Sequence, residues 1–140
     1  MPFVDFATWP LELSVLARVL AAMILGGIIG FERELKSQSA GLRTHMLIAG
    51  AAALIVGLGH LLVRDYSDEQ FRELVQVDPV RLIEAVVAAV GFVGAGTIIR
   101  RREGEEVQGL TTAASLLMAA GIGVAAGLEN YLLAGVASLL

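Results

Sequence analysis

Long apolar stretches alternate with short charged connections along this chain. Four such stretches are evident: Leu13–Phe31, Thr44–Val63, Leu82–Ile99 and Leu110–Leu128. A helix of about 19 residues, rising about 1.5 Å per residue, matches the roughly 30 Å hydrocarbon core of a bilayer. The pattern therefore predicts an all-α integral membrane protein with transmembrane helices over about residues 11–31, 44–63, 82–99 and 110–128.

A fifth apolar stretch, residues 131–140, is too short to cross a bilayer. We expect it to form a partial fifth helix that enters the membrane without spanning it. Together the five segments predict a single transmembrane domain over residues 1–140.

Charge is concentrated between the apolar stretches. Of 10 basic and 14 acidic residues, only Arg18 and Glu84 lie within the four stretches. The formal net charge of −4 argues against a nucleic-acid partner, and the absence of cysteine excludes thiolate metal sites and cysteine nucleophiles.

The distribution of basic residues predicts the orientation. The first and third connections carry six of them: Arg33, Lys36, Arg43, Arg100, Arg101 and Arg102. The positive-inside rule places these connections in the cytoplasm and the N-terminus outside. In the second, outer connection, Ser67 and Gln70 have capping-box spacing and predict a short amphipathic helix, after which Asp78 and Pro79 start the third span.

The chain contains an internal repeat. Shifted by 68 residues, segment 21–59 aligns without a gap to segment 89–127, with identities that include Arg33/Arg101 and the Gly-Leu-x-Thr sequence before the second and fourth spans. Each copy is a hairpin that turns in the cytoplasm, so we predict two parallel-repeat hairpins.

Four motifs resemble a known family. They are Gly26–Glu34 (GGIIGFERE), Ala40–His45 (AGLRTH), Gly91–Gly96 (GFVGAG) and Gly109–Ala114 (GLTTAA). In this order they closely resemble the MgtC/SapB family of bacterial inner-membrane proteins. The resemblance implies about five spans, a link to growth in low magnesium and to survival in host cells, and a membrane protein partner such as ATP synthase. Many members add a soluble cytoplasmic C-terminal domain, which we expect to be absent here.

Glycines are spaced for helix contact. Gly26 with Gly30, and Gly123 with Gly127, are four residues apart, a spacing that lets helix backbones approach closely in lipid. Gly91, Gly94 and Gly96 are denser than packing requires, and two roles stay open for them: helix packing, or a locally unwound backbone that lines an ion path. The glycine-rich faces also predict a homo-oligomer.

Polar residues of the two cytoplasmic turns form the first candidate site. Its members are Glu32, Arg33, Glu34, Arg43, Thr44, His45, Arg100, Thr111 and Thr112. Thr44 and one of Thr111 or Thr112 are candidate N-caps, and two helix N-termini beside Arg43 and Arg100 favour an anion such as a phosphate or lipid headgroup. Glu32 and Glu34 could hold a hydrated magnesium ion; we expect no other cofactor. The alternative is capping and ion pairing at headgroup level.

Arg18, His60 and Glu84 form the second candidate site, in the outer half of the membrane. An ionisable residue within a span is a functional candidate with a partner to be named, and an Arg18–Glu84 pair beside His60 is our hypothesis. The alternative is that these side chains extend to the outer interface.

No grouping in the sequence indicates catalysis, because the two histidines lie at opposite ends of one span and no serine–histidine–acid set is present. We predict a non-enzymatic factor in magnesium homeostasis that binds another membrane component. The alternatives are a transporter or channel for magnesium or another cation, with a glycine-lined path, and a purely structural membrane subunit.

Overall fold

The computed structural model describes residues 9–65, 78–99 and 107–140, and its secondary structure is helical. The helices are α1 (Trp9–Leu35), α2 (Leu42–Asp65), α3 (Pro79–Thr97), α4 (Leu110–Gly127) and α5 (Tyr131–Ala137). Four of them, α1 to α4, are long and apolar enough to cross a membrane, and α5 is short. The all-α membrane fold is therefore confirmed. The amphipathic helix expected near Ser67 and the site candidate Arg100 lie outside the described residues.

The first hairpin is longer than its apolar stretches. Helix α1 continues past Phe31 to Leu35, and α2 begins at Leu42 instead of Thr44. Backbone hydrogen bonds hold a helix together whether its side chains are charged or apolar. Hydrophobicity therefore indicates only the part of the helix that lies in the hydrocarbon core. The added turns place Glu32, Arg33 and Glu34 on a helix above the apolar region.

Helix α3 starts as predicted. Asp78 is the N-cap, its Oδ1 accepts a hydrogen bond from Val80 N at 2.9 Å, and Pro79 is the first helical residue. The carboxylate satisfies a backbone N–H that has no partner within the helix.

The predicted threonine N-caps are wrong. Helix α4 is preceded by Gly109 in the left-handed conformation, with φ of 94°, and Thr111 and Thr112 lie in its first turn. A Cβ at position 109 would overlap the Thr97 carbonyl, so only glycine allows the chain to pass the end of α3 here. Thr44 likewise lies inside α2, one turn past Gly41.

Both hairpins turn at one end of the bundle, which we call the turn end; the opposite end is the distal end. Arg33, near the end of α1, hydrogen-bonds Thr112 at the start of α4, and the Thr97 hydroxyl at the end of α3 donates to Gly109 O at 3.4 Å. The hairpins are therefore parallel, as the repeat predicts.

Helices α1, α2 and α4 form the packed centre. Its fully buried residues are mostly alanines, among them Ala22, Ala49, Ala53 and Ala126. Small side chains let helix backbones approach closely, and van der Waals packing, more than exclusion of water, holds helices together in lipid. Helix α3 packs at the edge, with only Val86, Val90 and Gly94 of the helix buried, and α5 lies against α4 and α1.

Candidate functional site

Arg33 joins the two hairpins at the turn end. Its side chain is 7% exposed, its Nη2 donates to Thr112 Oγ1 at 2.6 Å, and its Nε donates to Ala40 O at 3.2 Å. Ser39 Oγ lies 3.3 Å from the same threonine oxygen. A single buried guanidinium thus links the end of α1, the α1–α2 connection and the first turn of α4.

His45 forms a second link beside it. The ring is fully buried, with Nδ1 2.9 Å from Gly41 O and Nε2 3.0 Å from Ser115 Oγ on α4. A carbonyl oxygen only accepts, so Nδ1 carries a proton. The histidine therefore connects α2 to α4 one helical turn deeper than Arg33 does.

The two glutamates of this region point to different partners. Glu34 Oε2 accepts from Leu42 N at 2.8 Å and so caps the start of α2. Glu32 pairs with Lys36 at 2.5 Å, and both side chains are exposed. They do not converge on one point, and the described residues contain no group of three His, Asp or Glu side chains placed to hold a metal ion.

The expected anion position at the start of α2 is occupied by the chain's own carboxylate, that of Glu34, which lies at the positive end of the helix dipole. Arg43 is exposed on α2, Thr44 is half-buried, and Thr111 is exposed on the first turn of α4. The structure thus brings together Arg33, His45 and Thr112, and leaves Arg43 and Thr111 on the surface.

Arg18 is the centre of a polar cluster at the distal end. The residue is 8% exposed and forms an ion pair through Nη2 with Glu129 Oε1. It also donates to Gly127 O at 3.2 Å and to Ser14 Oγ at 3.1 Å, and its Nη1 lies 3.4 Å from Nδ1 of His60. The cluster borders a cavity of about 340 Å³.

The predicted Arg18–Glu84 pair is wrong, because Arg18 points into the bundle and Glu84 is exposed on α3. Sequence reasoning missed Glu129 because it considered only charges inside the spans. The available signal was an acidic residue directly after the fourth span, at the membrane face nearest Arg18.

Four glycines pack helix against helix. A Cβ at Gly26 would lie 2.6 Å from Ala49 Cβ, and one at Gly30 would lie 2.8 Å from Leu42 Cα, so both hold α1 against α2. Gly123 and Gly127 hold α4 against α2 in the same way, with Cβ positions 2.8 Å from Ala52 Cβ and 2.9 Å from Val56 Cβ. These approaches are closer than any larger residue permits.

The three glycines of α3 differ from one another. Gly94 faces α4, where a Cβ would lie 3.3 Å from Ala113 Cβ, whereas a Cβ at Gly91 or Gly96 would meet no atom of the described residues within 4 Å. The helix is continuous from Pro79 to Thr97, so the locally unwound backbone considered for this segment is not formed.

One outward face of α3 carries small residues and a charge. Glu84, Ala88, Gly91 and Ala95 are all exposed, and their spacing of four, three and four residues places them in one line along the helix. We call this line the α3 outer stripe. It is turned away from the buried positions Val86, Val90 and Gly94.

Comparison with known proteins finds named relatives. Protein MgtC of Salmonella typhimurium is 42% identical over 113 residues, covering 81% of this chain and 43% of that protein. Protein SapB of Bacillus subtilis is 35% identical over 124 residues, 89% of this chain and 52% of that protein. The putative magnesium transporter YhiD of Escherichia coli is 40% identical over 116 residues, 81% of this chain and 51% of that protein.

The chain thus spans about half the length of these relatives. No solved structure matches it. The MgtC family matches residues 19–140, a range that contains α2 to α5 and most of α1, the Arg33 and His45 links and three of the Arg18 cluster's partners. A family match of this extent, with relatives at 35–42% identity, is sufficient to show the family. The chain belongs to the MgtC family.

Proposed function

We propose that this chain is a non-enzymatic factor in magnesium homeostasis of the bacterial inner membrane, and that it acts by binding another membrane protein through the α3 outer stripe. Its family membership and the magnesium-related name of the Escherichia coli relative support the link to magnesium. The position of Glu84 carries the binding part of the proposal.

Glu84 lies on α3 five residues after Pro79, about 7–8 Å along the helix, and its side chain is exposed. A charged side chain within a membrane span almost always faces a protein interior or a water-filled cavity, because lipid cannot solvate it. In this chain the carboxylate faces outward. A partner helix with a polar group opposite Glu84 supplies the missing environment.

The rest of the outer stripe suits such a partner. Ala88, Gly91 and Ala95 follow Glu84 along the same line and let a second helix approach closely. Only Val86, Val90 and Gly94 of α3 are buried, so the other described elements leave its outer face open. The proposed partner is a different membrane protein; a second copy of this chain is an alternative outcome of the test.

Gly91 and Gly96 offer a matched test. Both are exposed glycines of α3, and a Cβ added at either would meet no described atom within 4 Å, so we expect a leucine at either position to leave the packing of the described residues intact. Only Gly91 is on the outer stripe. In cells that lack their own copy of this protein, we expect Gly91→Leu to abolish restored growth in low magnesium and Gly96→Leu to preserve it, at equal protein levels.

Site-directed crosslinking from position 88 identifies what covers the stripe. A crosslinked product heavier than this chain, lost in Gly91→Leu and kept in Gly96→Leu, supports a partner protein. A product of twice the chain's mass assigns a second copy instead. Equal growth and equal crosslinking in the two variants would contradict the proposal.

A second candidate function is magnesium transport, which the printed name of the Escherichia coli relative favours. The packed centre counts against it, because Gly123 and Gly127 bring α4 into direct contact with α2 where a path between these helices would run. The test is magnesium entry into liposomes that contain only the purified protein. Under our proposal entry is no faster than in protein-free liposomes; faster entry would establish the transporter.

A further inference from the structure

A groove opens at the turn end between α1, α4 and the end of α5. Its volume is about 690 Å³, and it has a polar part and an apolar part. The polar part is lined by Glu32, Arg33, Lys36, Gln38, Thr111 and Ser115, and the apolar part by Ile28, Ile29, Met118 and Leu139. The polar part therefore lies at the turn end of α1, and the apolar part lies further along α1 towards the centre of the membrane.

A second hollow of about 360 Å³ extends the apolar part. It shares Ile28, Ser138 and Leu139 with the first and continues along α1 to Leu25, beside Tyr131 at the start of α5. From Leu35, its last residue, to Leu25, α1 spans about 15 Å. The two hollows form a trough with a polar mouth at the turn end and an apolar floor towards the bilayer centre.

Among the described side chains that line it, the mouth carries a net charge of +1. Arg33 and Lys36 contribute two cations and Glu32 one carboxylate. The hydrogen bonds of buried Arg33 go to neutral oxygens, and within the part of the chain that the structure describes no carboxylate lies within 4 Å of its guanidinium. Burying a cation without a counter-ion is costly, so the groove favours an anion beside Arg33.

Lys36 can take part in binding such an anion. Its ion pair with Glu32 joins two exposed side chains four residues apart in the chain, and water screens the attraction between exposed charges strongly. An incoming phosphate can therefore recruit the lysine at small cost.

We propose that this groove binds one anionic phospholipid of the phosphatidylglycerol type. The phosphate lies at the mouth against Arg33 and Lys36, and an acyl chain follows Ile28, Met118 and Leu25 down the trough. The net charge of +1 on these described side chains matches a headgroup of net charge −1 better than a zwitterionic one. The apolar floor favours a lipid over free phosphate.

Met118 and Leu117 provide a matched pair of variants. They are neighbours on α4 with nearly equal exposure, 44% and 45%, but only Met118 lines the groove. Met118→Trp fills the trough, whereas Leu117→Trp adds the same bulk to a face outside it. Native mass spectrometry of the full chain, released from bilayers of equal phosphatidylglycerol and phosphatidylethanolamine, counts the retained lipids and identifies their headgroups.

The unmodified protein is expected to retain one phosphatidylglycerol in preference to phosphatidylethanolamine by about tenfold, equivalent to about 1.4 kcal/mol. Met118→Trp loses this lipid and Leu117→Trp keeps it. Lys36→Gln lowers the headgroup preference, while Arg43→Gln, an exposed arginine at the same end but outside the groove, leaves it unchanged.

Equal retention of the two lipids, equal retention by the two tryptophan variants, or release of the bound lipid by millimolar inorganic phosphate would overturn the proposal. The groove and the α3 outer stripe share no residue. Lipid retention and the growth effect of Gly91→Leu can therefore succeed or fail separately.

Discussion

Buried arginines organise the polar residues at each end of the bundle. Arg33 bonds α1 to α4 at the turn end, and Arg18 bonds α1 to α2, α4 and Glu129 at the distal end. A guanidinium has five N–H donors in a rigid plane, so one side chain can satisfy acceptors on several helices at once. Each arginine serves as a cross-link whose strength depends on its acceptors.

The hydrogen bond that Thr112 accepts from Arg33 can be tested with valine at this position, because threonine and valine have nearly the same shape. We expect Thr112→Val to lower the free energy of unfolding in mixed micelles by about 2 kcal/mol, since it leaves a buried, charged donor without its partner. Thr111→Val, at the exposed neighbouring position, should change it by less than about 0.5 kcal/mol. Equal losses would show that the hydrogen bond is not what matters.

The partner of Arg18 can be assigned by a double-mutant cycle. Combining Arg18→Gln with Glu129→Gln should show a coupling of about 1 kcal/mol, modest because the glutamate is 56% exposed. Combining Arg18→Gln with Glu84→Gln should be additive, as expected for residues that do not touch. Coupling to Glu84 and none to Glu129 would reverse the assignment.

The pair of Arg18 and Glu129 was predictable from the sequence only in part. The position of Arg18 inside an apolar stretch predicts that it has a partner, because an unpaired charge at that depth in the membrane is costly. The identity of the partner depends on how helices rotate about their axes. A short connection with Glu129 at a φ of 64° turns this carboxylate towards Arg18, and no periodicity in the sequence encodes that turn.

At the scale of helices, α4 is the element on which the others assemble. It packs against α1, α2, α3 and α5, and most of the buried residues of α4 are small. The predicted range of this helix, 110–128, is close to the observed range, Leu110–Gly127, because polar residues flank its apolar stretch on both sides. The ends of α1 and α2 were less predictable, since charged residues continue a helix as readily as they interrupt one.

Glycine-to-alanine variants at two positions of α4 separate the effects of close packing and of helix propensity on the free energy of unfolding. Gly123→Ala should cost about 1–3 kcal/mol of unfolding free energy, because the new methyl group overlaps the Ala49 carbonyl on α2. At Gly121, two residues away, an added Cβ meets no described atom within 4 Å, so Gly121→Ala should cost nothing and gain up to about 1 kcal/mol of unfolding free energy. The comparison is read from unfolding midpoints in micelles, and a loss of stability in both variants would count against close packing of α4 on α2.

At the scale of the whole molecule, the charged residues predict how the bundle sits in the membrane. The described basic residues of the turn end are Arg33, Lys36 and Arg43, and from the positive-inside rule we expect that end to lie in the cytoplasm. The parallel hairpins require both turns to share this side. The proposed lipid groove then faces the cytoplasmic leaflet.

The absence of cysteine from the chain makes this orientation measurable. In intact cells a membrane-impermeant maleimide should label Ser67→Cys, in the connection between α2 and α3, and spare Ser37→Cys, in the connection between α1 and α2. Inverted membrane vesicles should give the opposite pattern. Labelling of Ser37→Cys from outside would place the turn end on the other face.

The Arg18 cluster also bears on how the chain is made. Spans reach the bilayer in order of synthesis, and 109 residues separate Arg18 from its acceptor Gly127. At about 5–20 residues per second, the ribosome needs about 5–20 s to cover that distance. Until then Ser14, four residues away on the same helix, is the acceptor already at hand. The first span thus enters the membrane with a cation whose ion-pair partner, Glu129, is made only after the fourth span.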